Sequence, residues 1–203
     1  MSFTQHKLPI NPSDVADKVV NLREHWIRRD PNHPFYTFGR CAYLDGKTPE
    51  YAAEIPTTNA VLFENFSDVY KVLQDYFEKY LGEKVYLNVK LAYPSFHIAA
   101  ADPFFLTHGG LWHEDYPHET LGLGSEDPLS FTVAIEMPTG GGGVDYKENG
   151  AQKHIEYEEG AIIVHDGSIP HRIASFTECI MGEYRITLQG HLIRHNGVMT
   201  MFW

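Results

Sequence analysis

The run Tyr184-Arg185-Ile186-Thr187-Leu188-Gln189 decides what kind of fold this chain makes. Tyr184, Ile186 and Leu188 alternate with Arg185, Thr187 and Gln189, a period of two that marks an extended strand and not a helix. One face is apolar and belongs to a core. The other carries a guanidinium, a hydroxyl and an amide. Working outward, Ala161 to His165 is a short apolar strand after Gly160, and Phe131, Val133 and Ile135 alternate with Thr132, Ala134 and Glu136. Val85, Leu87, Val89 and Leu91 alternate with Tyr86, Asn88 and Lys90, so strand patterning begins just after Gly82.

Before Gly82 the period is helical. Residues 13–29 form a predicted helix, capped by Ser13 or Asp14, with the stripe Val15, Val19, Leu22 and Trp26, and stopped by Pro31. A second runs over 67–81, with Ser67 as cap, Val69, Val72, Leu73, Tyr76, Phe77 and Tyr80 as stripe, and Gly82 as stop. Between them, Phe35 to Leu44 reads as an edge strand ending at the Asp45-Gly46 turn. Two helices followed by many short strands define an α+β, mainly β chain, with helices packed on one side of a sandwich or barrel. No repeat or boundary breaks it. The expectation is one domain over 1–203, with 1–84 as helical support and 85–193 as the β core.

The 203 residues suffice for a sizeable core, and 43% hydrophobic with 21% charged residues is a globular composition. A formal net charge of -11 argues against a nucleic-acid partner, which needs clustered Lys and Arg. No apolar run reaches the roughly 18 residues of a membrane span, and the first residues lack the layout of a secretory leader. The expectation is therefore a cytoplasmic protein with no membrane partner. Cys41 and Cys179 form no CxxC and read as two reduced, partly buried thiols.

The chemistry centres on Leu111-Trp112-His113-Glu114-Asp115. On extended backbone, residues i and i+2 share a face, so His113 and Asp115 reach one metal while Glu114 points away. An HxD pair alone is weak in a chain with 12 His and 27 acidic residues. His171 follows a short apolar strand and a turn, which suits a third ligand from a second strand edge; His165, on the incoming strand, stands in reserve. Two imidazoles and a carboxylate, with no thiolate, leave positions open and suit Fe(II) better than structural zinc. Arg185, on the next strand with Thr187 beside it, offers a planar fork for a carboxylate.

Taken in order, these elements resemble the double-stranded β-helix (jelly-roll, cupin-like) family of Fe(II)/2-oxoglutarate-dependent oxygenases, in its compact prolyl-hydroxylase-like branch. The resemblance covers roughly residues 85–193. It rests on the HxD at His113 and Asp115, VAIEMPTGGGGVDY as strand and glycine turn, EEGAIIVHDGSIPH leading to His171, and Arg185 in GEYRITL. It implies Fe(II), 2-oxoglutarate and O2, with succinate and CO2 released. The carboxylate ligand Asp115 favours hydroxylation, desaturation or cyclisation over halogenation, since related halogenases lack it.

For the substrate, the stretch from Asn88 to Trp112 runs beside the metal in such a fold, so Tyr93, His97 and Trp112 are pocket candidates, with Lys90 or Arg172 for an acidic group. Residues 116–127, with Pro117, Gly122 and Gly124, read as a covering loop. The expected substrate is a small molecule such as an amino acid or a metabolite built from one. The alternatives are a peptide or protein side chain, or a cupin-like metal-binding barrel without 2-oxoglutarate. The apolar end Gly197 to Trp203 either packs on its own core, the favoured reading, or docks a second copy to make a homodimer.

Overall fold

A computed structural model describes residues 3–123 and 128–203. Twelve strands occur among them: β1 (Thr4–Lys7), β2 (Trp26–Arg28), β3 (Phe35–Phe38), β4 (Val85–Leu87), β5 (Ser95–Ala100), β6 (Leu129–Glu136), β7 (Val144–Glu148), β8 (Ala151–Ile155), β9 (Ala161–Asp166), β10 (His171–Ile173), β11 (Tyr184–His195) and β12 (Val198–Phe202). The helices are α1 (Pro12–Asn21), α2 (Ala42–Asp45), α3 (Pro49–Leu81), α4 (Phe104–Thr107) and α5 (Pro117–Thr120).

The strands form two sheets of a jelly roll. The larger follows the order β1-β9-β6-β11-β5-β3-β2, with β12 beside β11 and β4 beside β12; the smaller runs β10-β7-β8. Strand β11 is the spine. Arg185 lies opposite Ala99 and Thr187 opposite His97 on β5, while the far half of β11 pairs with β12.

The alternation in the sequence becomes a division of labour between the two faces of the large sheet. Ile186 and Leu188, with Ile162 and Val164 of β9, pack towards the helices in one cluster with Val19, Phe66, Leu73 and Phe77. Phe77 has no exposed surface, and truncating such a ring to alanine costs about 3–5 kcal/mol. The opposite face looks into the space between the sheets, where Phe3, Val144, Tyr146 and Ile163 form a smaller apolar cluster and the polar residues of β11 point. Both faces are thus buried, one apolar and one chemical.

Several boundaries differ from the expectation for physical reasons. The first helix ends at Asn21, and Trp26 belongs to β2, opposite Phe38, its indole Nε1 donating to the Val19 carbonyl at 3.1 Å. The second helix starts at Pro49, not Ser67; Phe66, at φ -130, kinks it immediately before the expected cap, and Gly82, at φ 73, ends it. The strand expected over 35–44 stops at Phe38, is flanked by β2 and β5, and gives way to the helical turn α2. The first 84 residues therefore supply strands β1, β2 and β3 to the large sheet as well as helices. The alternation after Gly82 makes only the short β4, parallel to β12, so the apolar end of the chain packs on its own sheet. Residues 117–120 form α5, and residues 124–127 of the expected loop lie outside the described ones. Among the described residues no helix is long and apolar enough to cross a membrane. Cys41 is buried and Cys179 partly so, both free; burial pushes the Cys41 thiol up to about 12.

Candidate metal centre

The small sheet gains a fourth member at its β10 edge. His113 and His171 face each other as an antiparallel bridge, with reciprocal backbone hydrogen bonds of 3.0 and 2.9 Å. Asp115 donates its backbone N–H to the Gly167 carbonyl at 2.8 Å. Gly167 makes this approach feasible, since a Cβ there would stand 2.6 Å from the Asp115 carbonyl oxygen. Backbone pairing thus brings two distant segments into one site.

Their side chains converge. One ligand atom from each of His113, Asp115 and His171 lies within 4.8 Å of the others. Asp115 Oδ1 is 3.7 Å from His113 Nε2, and its Oδ2 is 3.4 Å from His171 Nε2. Each imidazole is held from behind: His113 Nδ1 donates to the Leu111 carbonyl at 2.8 Å and His171 Nδ1 to the Ile169 carbonyl at 2.9 Å. With Nδ1 so engaged, Nε2 is the atom each ring would turn to a divalent cation, which would displace the proton that His171 Nε2 otherwise shares with Asp115. Burial alone would raise the Asp115 carboxyl; the hydrogen bond from His171 and the histidines around it overcome that and hold it well below the usual carboxylate range. Conversely, burial would lower His171, and Asp115 raises it.

Outside the site, the residues next to the ligands are fastened as well. The Trp112 indole meets two cations, Lys147 Nζ 4.5 Å from the ring centre and the Arg172 guanidinium at 4.8 Å. Arg172 donates twice to Asp145 Oδ2 at 3.1 Å, and His154 approaches Oδ1 of the same carboxylate at 3.0 Å. The neighbours of His113 and His171 are thereby stacked on each other.

The ligands open on a cavity of about 760 Å³ between the sheets. His165 lines it, stacked on Phe3 at 4.2 Å and edge-on to His171 at 4.5 Å; burial lowers it to about 4. It packs against the ligand set without joining it. His191 continues the inward face of β11, with Nδ1 3.0 Å from Ser130 Oγ and a buried Nε2 without a partner; burial lowers it to about 4. Extending the alternation Arg185, Thr187, Gln189 by one more step would have found it.

Arg185 and Thr187 lie one layer behind the lining, against Tyr157 and Gln189. Arg185 is 1% exposed. Its Nε donates to the Gly142 carbonyl at 2.8 Å, Nη1 reaches Thr187 Oγ1 at 3.4 Å, and its charge sits 5.3 Å from the centre of the Tyr157 ring. Nη2 has neither a partner nor solvent, and among the described residues no carboxylate pairs with the guanidinium. Burial accordingly lowers its pKa.

Of the expected pocket residues, His97 lines the cavity. Tyr93 does not: it packs edge-on to Tyr70 at 5.7 Å in the helix-side core. Trp112 faces a separate shallow hollow with Pro170 and Tyr116. Arg172 touches the cavity with its charge already taken by Asp145, and Lys90 is exposed in the turn after β4. His108 is exposed and stacked on Phe104, and His118 is buried away from the lining. Tyr43, Lys47 and Tyr157 line the cavity and carried no strand or helix signal that pointed there.

No protein-family model matches this sequence, and no curated protein matches it either. Solved structures do match in shape. An N-substituted L-amino acid dioxygenase from Burkholderia ambifaria AMMD superposes with a TM-score of 0.54 at 14% identity, covering 81% of this chain and 73% of that one. A 2OG-Fe(II) oxygenase family oxidoreductase from Burkholderia pseudomallei gives 0.53 at 13% identity, with 92% and 79% covered. The non-heme alpha-ketoglutarate-dependent carbocyclase SnoK from nogalamycin biosynthesis gives 0.52 at 11%, with 95% and 82% covered. The chain has the double-stranded β-helix fold of the 2-oxoglutarate and Fe(II) oxygenases.

Proposed function

We propose that this protein is an Fe(II)- and 2-oxoglutarate-dependent oxygenase that oxidises, most simply by hydroxylation, a small molecule such as an amino acid or a metabolite derived from one. The observation that carries this reading is the pairing of two features inside one fold. His113, Asp115 and His171 make a two-imidazole, one-carboxylate face, and Arg185 is a buried cation with no anion to neutralise it. A charge removed from water without a partner is destabilising, so its retention signals a ligand that supplies the partner. A dicarboxylic co-substrate would do so, with His113, Asp115 and His171 holding the metal at one end and Arg185, with Thr187 beside it, available for the distal carboxylate.

The residues fit the metal. Three hard or borderline donors on one face leave the opposite face free for the co-acid and oxygen, the arrangement used for non-haem Fe(II). When bound, iron and 2-oxoglutarate together supply the oxidising power. The chain holds the ligands in their tautomers and encloses the reaction between two sheets. Tyr157, between Arg185 and the cavity lining, contacts the guanidinium and would share the distal carboxylate's site. Asp115 occupies the position that a halide would need. The cavity opens at Leu111, Glu114 and Glu119, and its volume of about 760 Å³ is that of a small-molecule site, which favours a small substrate over a peptide; an inward Arg185 has no purpose in a cupin-like barrel that lacks the co-substrate.

The test is an anaerobic titration of the apoprotein with Fe(II) and then 2-oxoglutarate, following the visible metal-to-ligand charge-transfer band. The expected band needs both additions and disappears in His113→Ala. Iron binding without a band would overturn the 2-oxoglutarate assignment.

A further inference from the structure

The cavity has a wall that the metal and co-substrate leave unused. It comes from α2, which the sequence reading placed in a strand. Asp45, 4% exposed, fastens this turn: Arg29 grips both of its oxygens at 2.8 and 2.7 Å, Arg40 adds a bond at 3.1 Å, and the Cys41 N–H another at 3.0 Å. Tyr43 on α2 and Lys47 just beyond its end both reach the cavity lining. Lys47 is exposed and, like several other lysines, has no ion-pair partner among the described residues; what distinguishes it is its place on the cavity lining.

The Tyr43 hydroxyl sits 2.6 Å from His97 Nε2. Burial, with Arg185 and Arg29 nearby, lowers His97 to about 3, so the ring is neutral and carries a single N–H. Its Nδ1 is sealed from solvent and touches no hydrogen-bonding group. Orphaned N–H groups are rarer in protein interiors than unused acceptors, which places the proton on Nε2. His97 then donates to the Tyr43 oxygen, and the phenolic hydrogen has only the Cys41 sulfur to donate to, a weak acceptor that a carboxylate in the cavity would displace. The segment thus offers two donors to the cavity, a phenol and an ammonium.

We propose that Tyr43 and Lys47 form the subsite for a carboxylate of the primary substrate, so that the oxygenase acts on an organic acid. This rests on the reading of the site as an oxygenase. Glu114 and Glu119 also line the cavity and are exposed. They disfavour a second carboxylate and accommodate an amine, so acids bearing an amino group are the first probes.

The experiment is anaerobic calorimetry on the Fe(II)-loaded protein, with and without 2-oxoglutarate, titrated with the standard L-amino acids and with their carboxamides. The amide keeps the shape and removes the charge. At least one acid is expected to bind, about tenfold or more tighter than its amide, as loss of a charge-assisted hydrogen bond implies. Lys47→Met should weaken that acid by about threefold to fivefold, as expected for a solvent-exposed ion pair, and leave the amide unchanged. Tyr43→Phe should weaken the acid by about tenfold. Both variants should bind Fe(II) like the wild type. If no acid binds better than its amide, or if Lys47→Met affects both equally, the subsite is overturned. Absence of 2-oxoglutarate binding by the wild type would instead sink the oxygenase reading, and the acid–amide comparison without co-substrate would still stand.

Discussion

Two arginines, Arg29 with its side chain 12% exposed and Arg185 at 1%, show how differently the same side chain is used behind the cavity wall. Beneath α2, Arg29 lies flat against Asp45 with two bonds below 3 Å, and Arg40 shares the same carboxylate. At the far end, Arg185 is buried more completely and has a peptide carbonyl, a weak contact with a hydroxyl and an aromatic face, but no acid. Arg29 is complete within the fold. Arg185 is not, and incompleteness in a buried charge is what marks a binding residue off from a structural one.

This contrast is broken most directly at Arg185. Arg185→Ala should reduce 2-oxoglutarate affinity by about a hundredfold or more, the effect of truncating one partner of a buried charge pair, with Fe(II) affinity nearly intact. Calorimetry with each ligand checks it, and equal loss of both would make Arg185 structural. In the ligand-free protein Arg185→Met should leave the urea midpoint unchanged or raise it, because an unpaired charge is removed. Arg29→Met should do the opposite, lowering stability by about 1–2 kcal/mol, because Asp45 loses its bidentate partner and keeps only Arg40 and the Cys41 N–H; urea unfolding of both variants sets the two arginines side by side.

Arg172 is the intermediate case, paired with Asp145 yet stacked on Trp112. Trp112→Ala should loosen the coupling of the His113 and His171 segments and weaken Fe(II) about tenfold, in the range seen for groups that support metal ligands. Trp112→Phe should restore most of it, whereas a substrate role would leave metal affinity untouched. The smallest effect concerns pH. His97 is lowered to about 3 when folded, against an ordinary value of about 6.5. The unfolded chain therefore binds the extra proton first, and stability should fall as pH drops below about 6.5 towards 3. Thermal melts of the apoprotein should show a shallower decline in His97→Gln.

The sequence carried most of β6, β9 and β11 because each has one strongly apolar face, and alternation survives any tertiary context. It misled where a local pattern met a stronger distant one. Ser67 looked like a helix start because Phe66 does break the geometry, but the helix resumes across the kink. Trp26 fits a helical stripe and is nevertheless drawn into β2 by pairing with Phe38. Strand β1 has no apolar rhythm and exists because β9 offers it an edge. Two hairpins were legible and went unread: Asn149-Gly150 and Asn196-Gly197 take positive φ at both residues (52 and 78, 51 and 77) and close β7–β8 and β11–β12 by two-residue turns, the commonest signature of a tight hairpin.

At the site, His113, Asp115 and His171 could be proposed because residue type and order constrain a metal sphere. Arg185 could be proposed from its face of β11. Tyr43, Lys47 and Tyr157 could not, because they reach the cavity from a helical turn and a loop whose placement depends on Asp45 and on the packing of the sheets.

The bridge between His113 and His171 holds the two imidazoles in place before any ion arrives, through backbone hydrogen bonds that are indifferent to which ion that is. Such a rigid cradle exerts little choice of its own among first-row divalent cations, whose affinities then follow their intrinsic order, with iron near the weak end. Occupancy by iron becomes a matter of supply in the cell, and handling in buffers carrying traces of nickel, copper or zinc would fill the cradle with an ion that does not replace iron's chemistry.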